Sequence, residues 1–188
     1  MQPTFLDELL MQVCTNYSIP KITRIYVGSS FCSQYFQKLN LEDTFFAYCR
    51  RKKLSVTLTV PVFSQKDFVA GKSLIVSLCR RNSDLIDEVT VNDPGMLLFL
   101  QQNNIHQKLN VGRLFFKEPR DIRVRTYFSD VLSPEFPLIC DANIGGAELD
   151  LNSQQLDLSK VASHMVTVAV HSPYCYMSVG NICKKEVC

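Results

Sequence analysis

The hydrophobic pattern along this chain switches repeatedly between helical spacing and short apolar or alternating runs. Phe5, Leu9, Leu10 and Val13 recur at helical spacing over Thr4 to Val13, with Thr4 as the N-cap. Lys21 to Val27 alternates into a β-branched run that predicts a first strand ending at Gly28. Glu42 to Lys53 places Phe45, Phe46 and Cys49 on one helical face, and the cations from Arg50 to Lys53 complement the helix dipole. Leu54 to Val62 predicts a second strand, stopped by Pro61. Lys66 to Arg81 predicts a long amphipathic helix with Arg80 and Arg81 at its end. Glu88 to Asn92 reads as a short third strand closed by Asp93-Pro94-Gly95, Met96 to Gln102 as a helix, and Leu109 to Leu114 as a fourth strand. Phe115 to Pro137 is rich in charge and proline and reads as loop, with a short strand at Arg123 to Phe128. Further strands are expected at Leu138-Ile139-Cys140, Ala147 to Leu151 and Met165 to Val170, and a helical turn at Asp157 to Ser163.

Strands alternate with helices, and no strand pair carries a tight hairpin signal. That order predicts βαβ units and parallel pairing, hence an α/β fold. A parallel β/α barrel of TIM type is the expected architecture, with an open doubly wound sheet as the alternative. No Gly-x-Gly-x-x-Gly follows the first strand, which weakens a dinucleotide-binding reading. A complete barrel takes about 250 residues. With 188 residues, the expectation is one domain holding an incomplete barrel of about six or seven strands, either a reduced barrel or a fragment.

Composition narrows the class. Hydrophobic residues make up 46% of the chain and mean hydropathy is near zero, as expected for a globular core. The net charge of +2 comes from 20 basic and 18 acidic residues. That balance gives no bulk electrostatic case for nucleic acid, although a local basic patch is compatible with it. The N-terminal Met1-Gln-Pro-Thr-Phe-Leu-Asp-Glu shows no secretory signal, and no apolar run approaches the ~18 residues of a membrane span. A cytoplasmic location is therefore expected.

In parallel β/α folds, ligands bind at the carboxyl ends of the strands. There the sequence offers Ser29, Ser30 and Cys32 after the first strand, Thr59, Pro61 and Ser64 at the second, and Asn92 and Asp93 at the third. Arg113 follows at the fourth, with Lys117 and Arg120 beyond it. Asp150 and Asn152 come after the Ala147 strand, and His171, Ser172 and Tyr174 after the last. Asn92-Asp93-Pro94-Gly95 fits a turn and helix start as well as a binding loop. Arg113 suits bidentate recognition of a carboxylate or phosphate, or an ion pair with Asp93. His171 fits a hydrogen-bonded loop position or a catalytic one. No nucleophile elbow and no His-Glu-x-x-His helix is present.

The eight cysteines suggest metal, redox or core roles in a reducing compartment. Cys14, Cys49 and Cys79 fall among apolar helical neighbours and read as buried small hydrophobes. Cys183 and Cys188 lie five residues apart, with Cys175 eight residues before Cys183. Their spacing is not that of a zinc ribbon, yet a curled sheet would bring Cys32 and Cys183 together at one end. Cys175 and Cys140 are candidates for a fourth ligand of a zinc or iron–sulfur site.

Several segments taken together resemble the collagenase-like peptidase family (peptidase family U-thirty-two). They are Val89-Thr-Val-Asn-Asp-Pro-Gly-Met-Leu97, and Leu109-Asn-Val-Gly-Arg-Leu114 followed by Lys117, Arg120 and Asp121. Ala147-Glu-Leu-Asp150 and His171-x-Pro-Tyr-x-Tyr176 through Cys183 also match. Tyr26-Val-Gly28 through Cys32 resembles the branch that hydroxylates ubiquinone precursors. The resemblance implies a β/α barrel. It also implies oxygen-independent hydroxylation of RNA or ubiquinone precursors, with a 4Fe-4S cluster and prephenate as oxygen donor. By position, Cys32, Cys183 and Cys188 would be cluster ligands, with Cys175 a weaker one. Asn92, Asp93, Arg113, His171 and Tyr174 would meet a small-molecule or RNA substrate. Family members continue past this cysteine region and several work in pairs, which implies a related barrel subunit as partner. A peptidase and a non-catalytic, metal-free binding or scaffold subunit are the alternatives.

Overall fold

The segment Ser55–Val60 alternates Val56, Leu58 and Val60 with Thr57 and Thr59, and all five of these side chains are buried. A strand buried on both faces belongs inside a parallel sheet, yet one of its two faces is polar. The computed structural model, which describes residues 3–39, 41, 43–103, 105–116, 144–150 and 167–171, repeats this division across the whole sheet.

The elements in chain order are α1 (Pro3–Asn16), β1 (Arg24–Gly28), α2 (Ser33–Lys38), α3 (Asp43–Lys52), β2 (Ser55–Val60) and α4 (Gln65–Arg81). They continue with β3 (Ile86–Val91), α5 (Pro94–Gln102), β4 (Lys108–Val111), a 3-10 turn at Arg113–Phe116, β5 (Ile144–Asp150) and β6 (Thr167–His171). The six strands form one sheet in the order β1-β2-β3-β4-β5-β6, and every neighbouring pair is parallel. Crossovers of one hand in a monotonic order lay their helices on a single face. A doubly wound sheet instead reverses its strand order, so the doubly wound alternative does not hold for the described strands.

The helix-covered face is apolar. Val56, Leu58, Val60, Val89, Val91, Leu109 and Val111 join Phe36, Phe46, Ile75, Leu97 and Leu100 in one buried cluster. Each such side chain contributes roughly 1.5–3 kcal/mol through burial. The opposite face is concave. Thr90 on β3 donates its hydroxyl to Glu148 Oε1 on β5 at 2.6 Å, reaching over β4. In a flat sheet, strands two apart are separated by roughly 9.5 Å, so a bond this short reports a curled sheet. The result is a half-barrel of six parallel strands.

Several boundaries differ from the sequence reading. The fourth strand stops at Val111 rather than Leu114, because Phe115 N turns back to Gly112 O (3.1 Å) and opens the 3-10 turn. The short helix α2 was not expected. It is started by Cys32, whose Sγ accepts from Tyr35 N at 3.3 Å. The third strand begins earlier, at Ile86, and the fifth begins at Ile144. The sixth occupies Thr167–His171, so His171 ends a strand instead of following one. The strands expected at Arg123 to Phe128 and Leu138 to Cys140, and the turn at Asp157 to Ser163, lie outside the described residues. No helix among the described residues is long and apolar enough to cross a membrane.

Candidate functional site

The rim at the C-terminal ends of β1 to β4 is built from backbone geometry. Gly28 adopts φ +129°, and a side chain there would strike the Thr59 carbonyl of the next strand. This close approach lets Ser29 N continue the ladder to Thr59 O at 3.0 Å. Ser29 Oγ then accepts from Cys32 N at 2.9 Å, which sets Cys32 at the start of α2. Next to it, the Phe31 ring meets the Arg113 guanidinium, with 4.8 Å from Cζ to the ring centroid. A cation over an aromatic face at this distance is attractive. Phe31 thus joins the end of β1 to the end of β4, and Cys32 lies next in the chain.

Asn92 and Asp93 are bound into the protein. Asn92 Nδ2 donates to Val60 O and its Oδ1 accepts from Leu114 N, both at 3.1 Å. Asp93 caps α5, with Oδ1 accepting from Met96 N at 2.9 Å, and its Oδ2 accepts from Phe63 N at 3.1 Å. Both side chains are buried. These bonds give the pair a structural part in shaping the rim. The contact described for Arg113 is with Phe31, in place of the ion pair with Asp93 considered from the sequence.

Below the rim, the concave face carries a polar network that lies, His171 apart, outside the site residues singled out in the sequence. Arg24 on β1 donates to Thr57 Oγ1 (2.8 Å) and binds both Asp87 oxygens (2.6 and 2.8 Å). Glu88 Oε2 accepts from Thr57 Oγ1 (3.2 Å) and Asn110 Nδ2 (3.1 Å), and lies 3.3 Å from Arg24. Lys108 Nζ donates to Thr167 Oγ1 at 3.0 Å and lies 3.9 Å from Glu88. Glu148, only 1% exposed, accepts from Thr90 and pairs with His171 Nε2 at 2.9 Å. The field of these acids is felt across the sheet: burial first, then Glu148 and Glu88, pushes the Tyr26 hydroxyl above its ordinary value. The sequence signal for this network was period-two alternation. Val-Thr-Leu-Thr-Val in β2 and Glu-Val-Thr-Val in β3 are too polar on one face for a parallel strand packed on both sides by apolar layers.

Of the predicted ligands and contacts, Cys32, Asn92, Asp93, Arg113 and His171 are described, and all sit at or beside C-terminal strand ends. Tyr174, Cys175, Cys183 and Cys188 lie outside the described residues, as does Cys140. Among the described residues, no group of three His, Cys, Asp or Glu side chains is arranged to hold a metal ion. Cys49 and Cys79 are buried thiols on helices, pushed by desolvation up to about 11 and about 12. A thiol so far from ionising is a poor metal ligand or nucleophile, as the core reading expects. Cys14 is half-buried, short of the buried position expected for it, and Cys32 is half-buried at the rim. No family model, curated protein or solved structure matches the chain.

Proposed function

We propose that this half-barrel is part of a TIM-type barrel in an iron–sulfur protein of the oxygen-independent hydroxylase type, acting as one subunit of a pair in the cytoplasm. The observation that carries the reading is the free thiol of Cys32 at the rim of the sheet, one residue from the Phe31 that packs on Arg113. Thiolate is the donor an iron–sulfur cluster needs, and Cys32 would supply one such donor at the rim. Cys183 and Cys188, with Cys175, would complete the set, and the bound cluster would supply electron transfer and Lewis acidity. Arg113 is the group suited to a carboxylate-bearing co-substrate such as prephenate, because guanidinium binds carboxylate through paired charged hydrogen bonds. A peptidase reading finds no support in the rim, where Asn92 and Asp93 are bonded internally.

The second reading is a metal-free binding subunit. It is favoured by the bond from Tyr35 N to Cys32 Sγ, which gives that thiol a helix-capping role. Protein purified without oxygen separates the two. The cluster reading expects broad visible absorbance with iron and sulfide in equal amounts, reduced at least severalfold by Cys32→Ser. Colourless protein that stays iron-free after reconstitution would leave the binding subunit as the function.

A further inference from the structure

Glu148 and His171 stand apart from the rim thiol, on β5 and β6, and no part of the reading above uses them together. Glu148 is a carboxylate with 1% exposure, and both of its oxygens are engaged. Thr90 Oγ1 donates to Oε1, which fixes the carboxylate from the β3 side. His171 Nε2 lies 2.9 Å from Oε2, while the imidazole keeps 31% of its surface exposed. Ring nitrogen Nδ1 makes no hydrogen bond to any described residue. A buried carboxyl group needs hydrogen-bond partners, and Thr90 and His171 each hold one of its oxygens. An imidazole with one nitrogen held by a carboxylate and the other open is the arrangement of a general base.

A second observation on the same face points to a ligand. Asn110 is 5% exposed, and its Oδ1 accepts no hydrogen bond from any described residue. It is paired in register with Gly146, two residues before Glu148 on β5. A buried acceptor with no described partner is a place where an incoming donor would be favourable. The described wall around these residues is largely polar, with the Thr57 and Thr90 hydroxyls bonded to Glu88 and Glu148 and the exposed Tyr26 ring standing on β1.

We propose that the concave face is an acid–base site for a small hydroxyl-bearing molecule, with His171 as the general base and Glu148 as the residue that positions it. The substrate O–H proton passes to Nδ1, leaving an oxyanion on the substrate and an imidazolium paired with Glu148. Asn110 Oδ1 accepts from a second hydroxyl of the ligand. No step requires a cluster, so the site stands or falls independently of the iron content.

Two measurements on the full chain test this. With nitrogen-labelled histidine, the His171 resonances should report hydrogen on Nε2 and none on Nδ1. The opposite tautomer would overturn the proposal without any variant. The second uses diethyl pyrocarbonate, which is attacked by a basic imidazole nitrogen and loses ethyl carbonate. Site-resolved mass spectrometry should find His171 acylated about tenfold faster in the native chain than in Glu148→Gln, with Glu148→Asp restoring much of the rate. His106 in the same samples should react equally in all three, which controls for folding. A His171 rate unchanged by Glu148→Gln, with His106 also unchanged, would remove the dyad.

Discussion

Asn92 and Gly112 interlock at the rim. A Cβ on Gly112 would occupy the place of the Asn92 amide, which bridges Val60 O and Leu114 N. Gly112→Ala should therefore destabilise the fold by roughly 1–3 kcal/mol through overpacking, and Asn92→Ala by a similar roughly 1–3 kcal/mol through the groups it leaves unpaired. The two losses should not add, because the smaller side chain at 92 makes room for the methyl at 112. Denaturant unfolding of the two single variants and the double variant checks this, and strict additivity would mean that the residues do not share space. A second residue-scale expectation concerns Cys79. Its thiol is held neutral, with burial raising it from 9.0 to about 12. A group raised in the folded state contributes stability that is complete below its unfolded value and is lost as pH climbs through the folded one. Stability should thus fall between pH 9 and pH 12, and Cys79→Ala should flatten that part of the pH profile.

At the scale of the element, Asp93 joins two pieces of backbone. It caps α5 and also receives Phe63 N after β2. Asp93→Ala should lower stability by about 1–2 kcal/mol for the cap alone, with a further loss from the orphaned Phe63 amide. Thermal unfolding measures the sum, and a loss well below 1 kcal/mol would show that water replaces both bonds. The elements themselves were largely legible. Phe45, Phe46 and Cys49 on α3 and the long apolar stripe of α4 fixed their helices through helical spacing, and both are observed. The end of β4 differs from the sequence reading because Gly112 and the Asn92 amide, a contact between distant parts of the chain, decide where it turns. The start of α2 was missed because its cap is a cysteine, a residue type that local propensity does not associate with helix starts. Asn92, Asp93 and Arg113 lie at or beside strand ends, where the strand-end rule places them. Glu148 and Asn110 lie inside strands, where that rule does not reach.

Across the whole molecule, the six strands are unequal. β2 and β3 pair on both sides and are buried almost throughout, while β1 and β6 each pair with one described neighbour and are half-exposed. Native-state hydrogen exchange should find the slowest amides in β2 and β3 and faster exchange in β1 and β6. Equal protection in β6 would show that its outer side is covered. The sheet's two faces also divide the work of the molecule. Val56, Leu58, Val89 and Val111 hold the helices, while Thr57, Glu88, Asn110 and Glu148 alternate with them along the same strands and face the concave side. In evolutionary terms, the positions that keep the chain folded and those proposed to meet a ligand are interleaved along the same strands. On that proposal, matched exchanges among the concave polar residues would redirect the chemistry while the apolar layer carries the inheritance of the fold.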